Sequence, residues 1–318
     1  MLHAASMAHS ASNNGPDVTV VVVNYHSADL ALAALAACAD SAGELAVQEI
    51  VVDGASGEDE VRRLRAGRPG AEVVALQDNR GFAAGNNAGI ARARGRHVLL
   101  LNPDALPRGD AVARLVAHLD ARPHVGVAAP LLVNRDGSPQ DNAYRRFPTL
   151  VTLFVDYCAP LAAIVRGTLL DPHNVPRRWL RDGPVPIAHA TGAALLVRAE
   201  AARAAGPMDE QYFLYLEETE WQGRIAAAGW GRDVVPDAVV VHLGGGSSDV
   251  SPVASGHFLD SISRYYRRPR TALTVVRVAA AITRAGLAVA VALPLRSARI
   301  RDLHGAYGAL AAELRRRR

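Results

Sequence analysis

The chain has 318 residues, half of them hydrophobic and 21% charged, which supplies a substantial core and excludes wholesale disorder. Its net charge of +4 hides an acidic body, −7 through residue 263, and a basic end, +11 from Arg264 onward, where 13 Arg stand against Asp302 and Glu313. Every basic residue is Arg, and the two cysteines, Cys38 and Cys158, lie far apart without metal-ligand spacing, as expected of buried thiols in a reducing compartment.

Residues 1–17 hold Ala, Ser, Asn and His without an apolar run, so they read as a disordered leader and not as a signal peptide. A β-branched run at 18–23 predicts the first strand, ending in Asn24 and Tyr25. An Ala/Leu-rich helix at 28–39 follows. A second strand at 47–52 ends in Asp53, a helix runs from Ser56 through Leu64, and a third strand spans 73–76. Gly81 opens a small-residue helix reaching Arg94. The apolar run 98–101 is too short for a helix and is stopped by Asn102-Pro103-Asp104, so it reads as a buried strand with a carboxylate at its carboxyl edge. Strands alternating with short helices predict an α/β, mostly parallel sheet, whose ligands gather at that edge.

Beyond Asp104 the pattern predicts a helix at 110–120 and strand pieces at 125–128 and 131–133. A proline-rich insertion at 134–190 carries one apolar helix near 150–164. A strand at 194–197 and a helix at 199–205 come next. The aromatic segment 212–216 then leads into a helix carrying Glu217, Glu218, Glu220 and Trp221, and a strand at 237–241 ends in His242. Asp53 and Asp104 each have a plain reading as turn or cap residues, and His242 as a structural histidine. Gly81, Gly85 and Gly89 have one as packing glycines, and Glu220 as the i,i+4 partner of Arg224. Their spacing, G-x-x-x-G-x-x-x-G, is not a dinucleotide fingerprint.

Taken in order, Val20-Val-Val-Val-Asn-Tyr25, Val51-Val-Asp-Gly-Ala-Ser56, Asn79-Arg-Gly-Phe-Ala-Ala-Gly-Asn-Asn-Ala-Gly89, Leu101-Asn-Pro-Asp-Ala105, Thr191-Gly-Ala193, Gly206-Pro-Met-Asp-Glu-Gln-Tyr-Phe-Leu-Tyr215, Glu217-Glu-Thr-Glu220 and Val241-His-Leu-Gly-Gly-Gly-Ser247 resemble the inverting, GT-A-fold glycosyltransferases of family 2. The resemblance covers roughly residues 18–250 and implies a nucleotide-binding half at 18–133 and an acceptor-side half at 134–260. It implies that Asp53 reads the donor base beside Asn24 and Tyr25, and that Gly85 and Asn86 lie against the diphosphate-sugar. Asn102 and Asp104 would form a degenerate metal motif, with Asp104 and His242 holding Mg²⁺ or Mn²⁺. Glu218 would be the general base, with Gly192, Glu217, Glu220 and Trp221 on the acceptor side. Two departures stand out: Gly54 where the family usually has Asn, and Glu218 where it usually has Asp. The Asn-Pro-Asp motif, Arg146-Phe147-Pro148 and the basic end look most like bacterial rhamnosyltransferases, which use dTDP-L-rhamnose and a polyprenyl-diphosphate-linked acceptor in envelope polysaccharide assembly. A UDP-sugar is the alternative donor. A non-catalytic nucleotide-sugar-binding relative and a membrane-associated scaffold are the rival classes.

The segment 261–318 reads as a helical basic tail. Its longest uncharged run, 285–295, is 11 residues, shorter than a bilayer requires, so the expectation is a helix lying on an anionic membrane surface or packed on the domain. Nucleic acid is not expected as a partner, since the arginines lack aromatic interleaving beyond Tyr265 and Tyr266. Together these imply a cytoplasmic protein, peripheral on the inner face of the plasma membrane.

Overall fold

The computed structural model describes residues 15–140, 143–165, 168, 171, 183–244, 256–292 and 298–316, and of 289–292 and 298–301 only the backbone. The expected leader therefore lies almost wholly outside the described residues, as do Gly245, Gly246 and Ser247 of the last motif and the final two arginines.

The first half alternates strand and helix: β1 (Val18–Asn24), α1 (Ala28–Ala42), β2 (Val47–Asp53), α2 (Glu58–Gly67), β3 (Glu72–Ala75), α3 (Gly81–Ile90), β4 (His97–Leu101). It pairs in parallel in the order β3-β2-β1-β4. β1 and β4 are buried nearly throughout, which is why their sequences are continuous apolar runs instead of alternations. Right-handed crossovers place α1 and α2 on one face and α3, which returns the chain from the β3 edge to the far side of β1, on the other.

β5 (Ala105–Pro107), α4 (Ala111–Ala121), β6 (Val125–Val133), β10 (Ala194–Arg198), α7 (Ala199–Ala205), α8 (Glu217–Ala227) and β11 (Gly231–His242) complete the sheet, in the order β4-β10-β6-β11-β5. β10 runs antiparallel between β4 and β6, and β5 antiparallel to β11, while β6 and β11 are parallel. The reversal of β10 has a consequence for the site. It brings the start of β10, and with it Gly192, to the edge where β4 ends. Short pairs link β8 (Val185–Pro186) to β11 and β7 (Tyr144–Arg145) to β9 (His189–Ala190).

Several boundaries differ from those expected. β6 is one strand rather than two pieces, and β11 begins at Gly231 rather than near 237. Pro130 and Pro236 suggest breaks, but both lie at a single register shift between β6 and β11, where a missing N–H is tolerated. The expected helix at 150–164 is two, α5 (Leu150–Tyr157) and α6 (Ala159–Val165), interrupted at Cys158 ahead of Pro160.

A second hydrophobic cluster joins α5 to three helices of the basic end: α9 (Gly256–Tyr265), α10 (Pro269–Ala292) and α11 (Ala298–Arg316). Leu153, Tyr157, Leu259, Ile262, Val276, Ala279, Tyr307 and Leu310 form it. Part of the expected insertion thus packs with the tail. The tail's apolar stretch is also longer than the uncharged run implies. Residues 269–288 form one helix, of mean hydropathy 1.3, long and apolar enough to cross a membrane by length and composition. The helix continues through Arg277, whose guanidinium donates to the Leu314 carbonyl, so a charge did not end it.

Candidate active site

The carboxyl edge of the sheet gathers Asn24, Asp53, Asp104, Gly192 and His242. β1 and β2 end in register, Asn24 opposite Asp53. The Asn24 amide donates to Asp53 Oδ1 at 2.7 Å and the Ser56 N–H donates to Oδ2 at 2.9 Å, while Asn24 Oδ1 accepts from the Ser27 N–H and hydroxyl. Asn24 and Asp53 are both buried at the strand ends, and the Asn24 amide is committed to the Asp53 carboxylate. It positions Asp53. Tyr25, next in sequence to Asn24, is half exposed, its ring edge-on to that of His26 at 4.4 Å between centroids.

β4 ends in a tight turn, the Ala105 N–H donating to the Asn102 carbonyl, and β5 then runs antiparallel to β11 with Ala105 opposite His242. This register, not sequence proximity, joins Asp104 to His242. Nε2 of the imidazole lies 3.4 Å from Asp104 Oδ1. Gln140 donates through Nε2 to the carbonyl of His242 and to Asn134 Oδ1, which turns its Oε1 toward His242 Nδ1 at 3.0 Å. Gln140 thereby orients the imidazole, turning Nε2 toward the Asp104 carboxylate. A carboxylate with one imidazole suits Mn²⁺ well and Mg²⁺ acceptably. Among the described residues no cluster of three or more His, Cys, Asp or Glu forms, so the protein supplies few ligands there. Asn102 Oδ1, two residues earlier, is buried without a hydrogen-bond partner.

α8 presents the acidic pair. A β-carbon added at Gly192 would lie 3.2 Å from the Phe82 ring and 3.5 Å from Glu218 Cγ, so the absence of a side chain there makes room beside the carboxylate. Gln222 clamps this arrangement, accepting from the Ala190 N–H at 3.0 Å and donating to the Ala190 carbonyl at 2.7 Å. Burial pushes the Glu218 carboxyl above its ordinary pKa, opposed by the N–H groups at the helix start and by the Arg145 charge. Glu217 is pushed higher still, by burial first and by the Glu218 charge second, and one of its oxygens has no partner. The two adjacent carboxyls thus titrate as a pair, both held above the ordinary carboxylate range.

Among the described residues, four other than glycine adopt positive φ: His26, Ala55, Tyr215 and Leu216. All four flank this site, two just beyond the ends of β1 and β2 and two immediately before Glu217. Such strain concentrates where function needs unusual geometry.

Other expected residues are placed elsewhere. A β-carbon at Gly85 would sit 2.7 Å from Val23 Cγ1, so this glycine serves the packing of α3 on β1 and not an approach to a diphosphate. Asn86 is buried and donates to the Phe82 carbonyl in its own helix. Trp221 is core, donating through Nε1 to the Gly206 carbonyl. Glu220 is engaged by Arg224 at 2.8 Å, the expected i,i+4 pair. Gln140, Gln222, Ser56 and Arg145 were not legible as site residues, because each acts on a partner brought near only by the sheet, except Ser56, whose turn spacing to Asp53 was a usable signal.

The glycosyl transferase family 2 model matches residues 19–199. Over 152 residues the chain is 30% identical to an N-acetylglucosaminyl-diphospho-decaprenol L-rhamnosyltransferase of Mycobacterium tuberculosis, covering 46% of each chain. Over 108 residues it is 39% identical to the succinoglycan biosynthesis protein ExoO of Rhizobium meliloti, covering 33% of this chain and 30% of that one. The matched stretches span less than half the length of these relatives. Among solved structures, the mannosyltransferase PcManGT from Pyrobaculum calidifontis, in complex with GDP-Man and Mn²⁺, superposes with a TM-score of 0.55 at 20% identity, covering 94% of this chain and 86% of that one. S. aureus TarS 1–349, in complex with UDP, gives 0.50 at 15% identity, covering 87% and 72%. Both share the fold.

Proposed function

This chain belongs to glycosyl transferase family 2, and on that premise we propose that it moves one sugar from a nucleoside diphosphate to an acceptor hydroxyl by a single inverting displacement. The observation that supports this most is the His242–Asp104 pair, with its imidazole oriented by Gln140, at the sheet edge that also carries Asp53 and faces Glu218. Asp53 and Tyr25 take the donor base, the carboxylate accepting from a pyrimidine imide N–H. A divalent ion held by Asp104 and His242 would neutralise the diphosphate as it leaves. Glu218 takes the proton from the acceptor hydroxyl as its oxygen attacks the anomeric carbon from the face opposite the diphosphate. The bond from that carbon to the diphosphate oxygen breaks, and the nucleoside diphosphate departs with the electron pair.

The donor we assign is dTDP-L-rhamnose, with a UDP-sugar second, and the acceptor a polyprenyl-diphosphate-linked sugar, by likeness to the Mycobacterium tuberculosis relative. A lipid-linked acceptor places the enzyme at a membrane. The helices of the second cluster support that placement, exposing Val278, Ile282 and Leu303 on the basic segment and Val151 and Ile164 on α5 and α6. The test is turnover of a panel of dTDP- and UDP-sugars with Mn²⁺, Mg²⁺ or EDTA, for wild type and Asp104→Ala. Metal-dependent turnover of one donor, lost in the variant, establishes the reaction. Absence of both turnover and metal-dependent nucleotide binding refutes it.

A further inference from the structure

The turn at 211–213 and α9 enclose a cavity of about 570 Å³ that the proposed reaction does not use. Gln211, Phe213, His257, Asp260, Ser261 and Arg264 line it. Its chemistry is uneven in an informative way. The Ser261 hydroxyl donates to the Leu214 carbonyl and that of Ser263 to the Leu259 carbonyl, so both hold the wall together. Phe213, large and apolar, is 37% exposed and stacks on the exposed His257, ring centroids 4.5 Å apart and planes 24° from parallel. An exposed flat aromatic pair beside an amide, a carboxylate and a guanidinium is the surface a pyranose ring fits, with its C–H face on the rings and its hydroxyls on the polar groups.

Arg264 gives the cavity a second character. Its guanidinium donates to Gln211 Oε1 and lies 5.7 Å from the centre of the Tyr212 ring, so it is held in place while remaining exposed. A guanidinium held this way binds a phosphate through two parallel N–H groups. Arg267, Arg268 and Arg270 follow just beyond the end of α9.

The cavity is coupled to the proposed catalytic edge. The Phe213 carbonyl accepts from the Phe82 N–H at 2.9 Å, and the Phe82 ring lies against Gly192 beside Glu218. Phe213 precedes Glu218 by five residues. That bounds their separation at about 18 Å even for extended chain. We propose that this cavity receives the sugar-diphosphate headgroup of the acceptor, its pyranose on the Phe213–His257 stack and its diphosphate on Arg264. The inference rests on the transferase reading for the identity of its ligand. The donor is also a sugar diphosphate, so the test separates the two sources.

The experiment is calorimetric titration of the full chain, without donor, using a water-soluble short-chain polyprenyl diphosphate carrying N-acetylglucosamine, with UDP and dTDP titrated in parallel. Wild type is compared with Phe213→Ala, Phe213→Trp and Arg264→Ala, each first checked for an unchanged circular-dichroism melt. The headgroup Kd is expected to rise about tenfold in the two alanine variants and to stay within about threefold of wild type in Phe213→Trp, with nucleotide affinity retained. No headgroup binding by wild type, an unchanged Kd in both alanine variants, or an equal loss of nucleotide binding would each overturn the assignment. Because this titration needs no turnover, its result stands apart from the donor panel that tests the transferase reading.

Discussion

Glu217 and Glu218 are adjacent in sequence and differ in surroundings. Both are raised by burial and both accept from backbone N–H groups near the start of α8, but Glu218 also has the Thr219 hydroxyl and the Arg145 charge to support its ionised form, while Glu217 has an unpartnered oxygen and its neighbour's charge. Glu218→Gln should therefore lower transfer by about 10²–10⁴-fold while leaving nucleotide binding near wild type. In the wild-type pH profile of kcat/KM, the acid limb should lie above the ordinary glutamate value of about 4.3, because the base works only when ionised. A limb at or below that value would remove the base assignment. Glu217 acts on stability with a definite sign. Its folded pKa exceeds its unfolded one, so its contribution is fully present below the unfolded pKa and is lost as pH rises through the folded pKa. Glu217→Gln should accordingly raise Tm relative to wild type at about pH 8 and show no such gain at about pH 4, read by thermal melts at both. Gln140 is a third case, touching the proposed metal ligands only through His242, at its ring and its carbonyl. Gln140→Leu should weaken Mn²⁺ binding by about 10–100-fold without altering either expected ligand.

At the scale of elements, much of the architecture was legible because each early strand is an apolar run that ends in a polar residue at a breaker. Asn24, Asp53 and Asp104 could be placed on one edge from that pattern alone. What could not be read was which residues the second half of the sheet brings to them. β5 is three residues long and carries no periodic signal, yet its antiparallel pairing with β11 is what sets Asp104 against His242. The Gln140 contact likewise spans 102 positions. In α3 the structure favours the plain reading of the glycines, as packing residues. Gly85 and Gly89 lie four residues apart on one helix face and meet Val23 and Val21, two residues apart on one strand face, so the helical and strand periods match across the interface. A β-carbon at Gly89 would approach Val21 Cγ1 to 2.3 Å, and buried valines on the central strand have little room to yield. Gly89→Ala should cost about 1–3 kcal/mol, measured as a lower urea midpoint with an unchanged slope. Loss of donor binding without loss of stability would return α3 to the donor site.

Among the described residues there are two hydrophobic clusters, one on the sheet and one among α5 and α9–α11, and the exposed large apolar residues divide unevenly between them. Tyr25 and Phe213 face the proposed substrates. Leu150, Val151, Ile164, Val278, Ile282 and Leu303 all lie on the helical cluster. Val278 and Ile282 are four apart on α10 and share a face, opposite in kind to the buried Val276, Ala279 and Ala280 that hold the helix to its neighbours. That packing gives α10 a fixed inner face and an apolar outer one, and the +11 charge of the chain beyond residue 263 lies in the same segment. Apolar residues ringed by arginine partition into the interface of an anionic bilayer, each basic group adding about 1 kcal/mol near the surface. Flotation with vesicles of mixed anionic and zwitterionic lipid should therefore recover the protein, and recovery should fall with rising salt and with Val278→Asp plus Ile282→Asp. A spanning α10 would behave differently. Recovery would then resist both salt and high-pH carbonate, because the attachment would come from buried length and not from surface charge. Salt-sensitive flotation lost in the double variant supports an enzyme resting on the leaflet that supplies its acceptor. Equal recovery from purely zwitterionic vesicles would show that the arginines serve something other than a lipid surface.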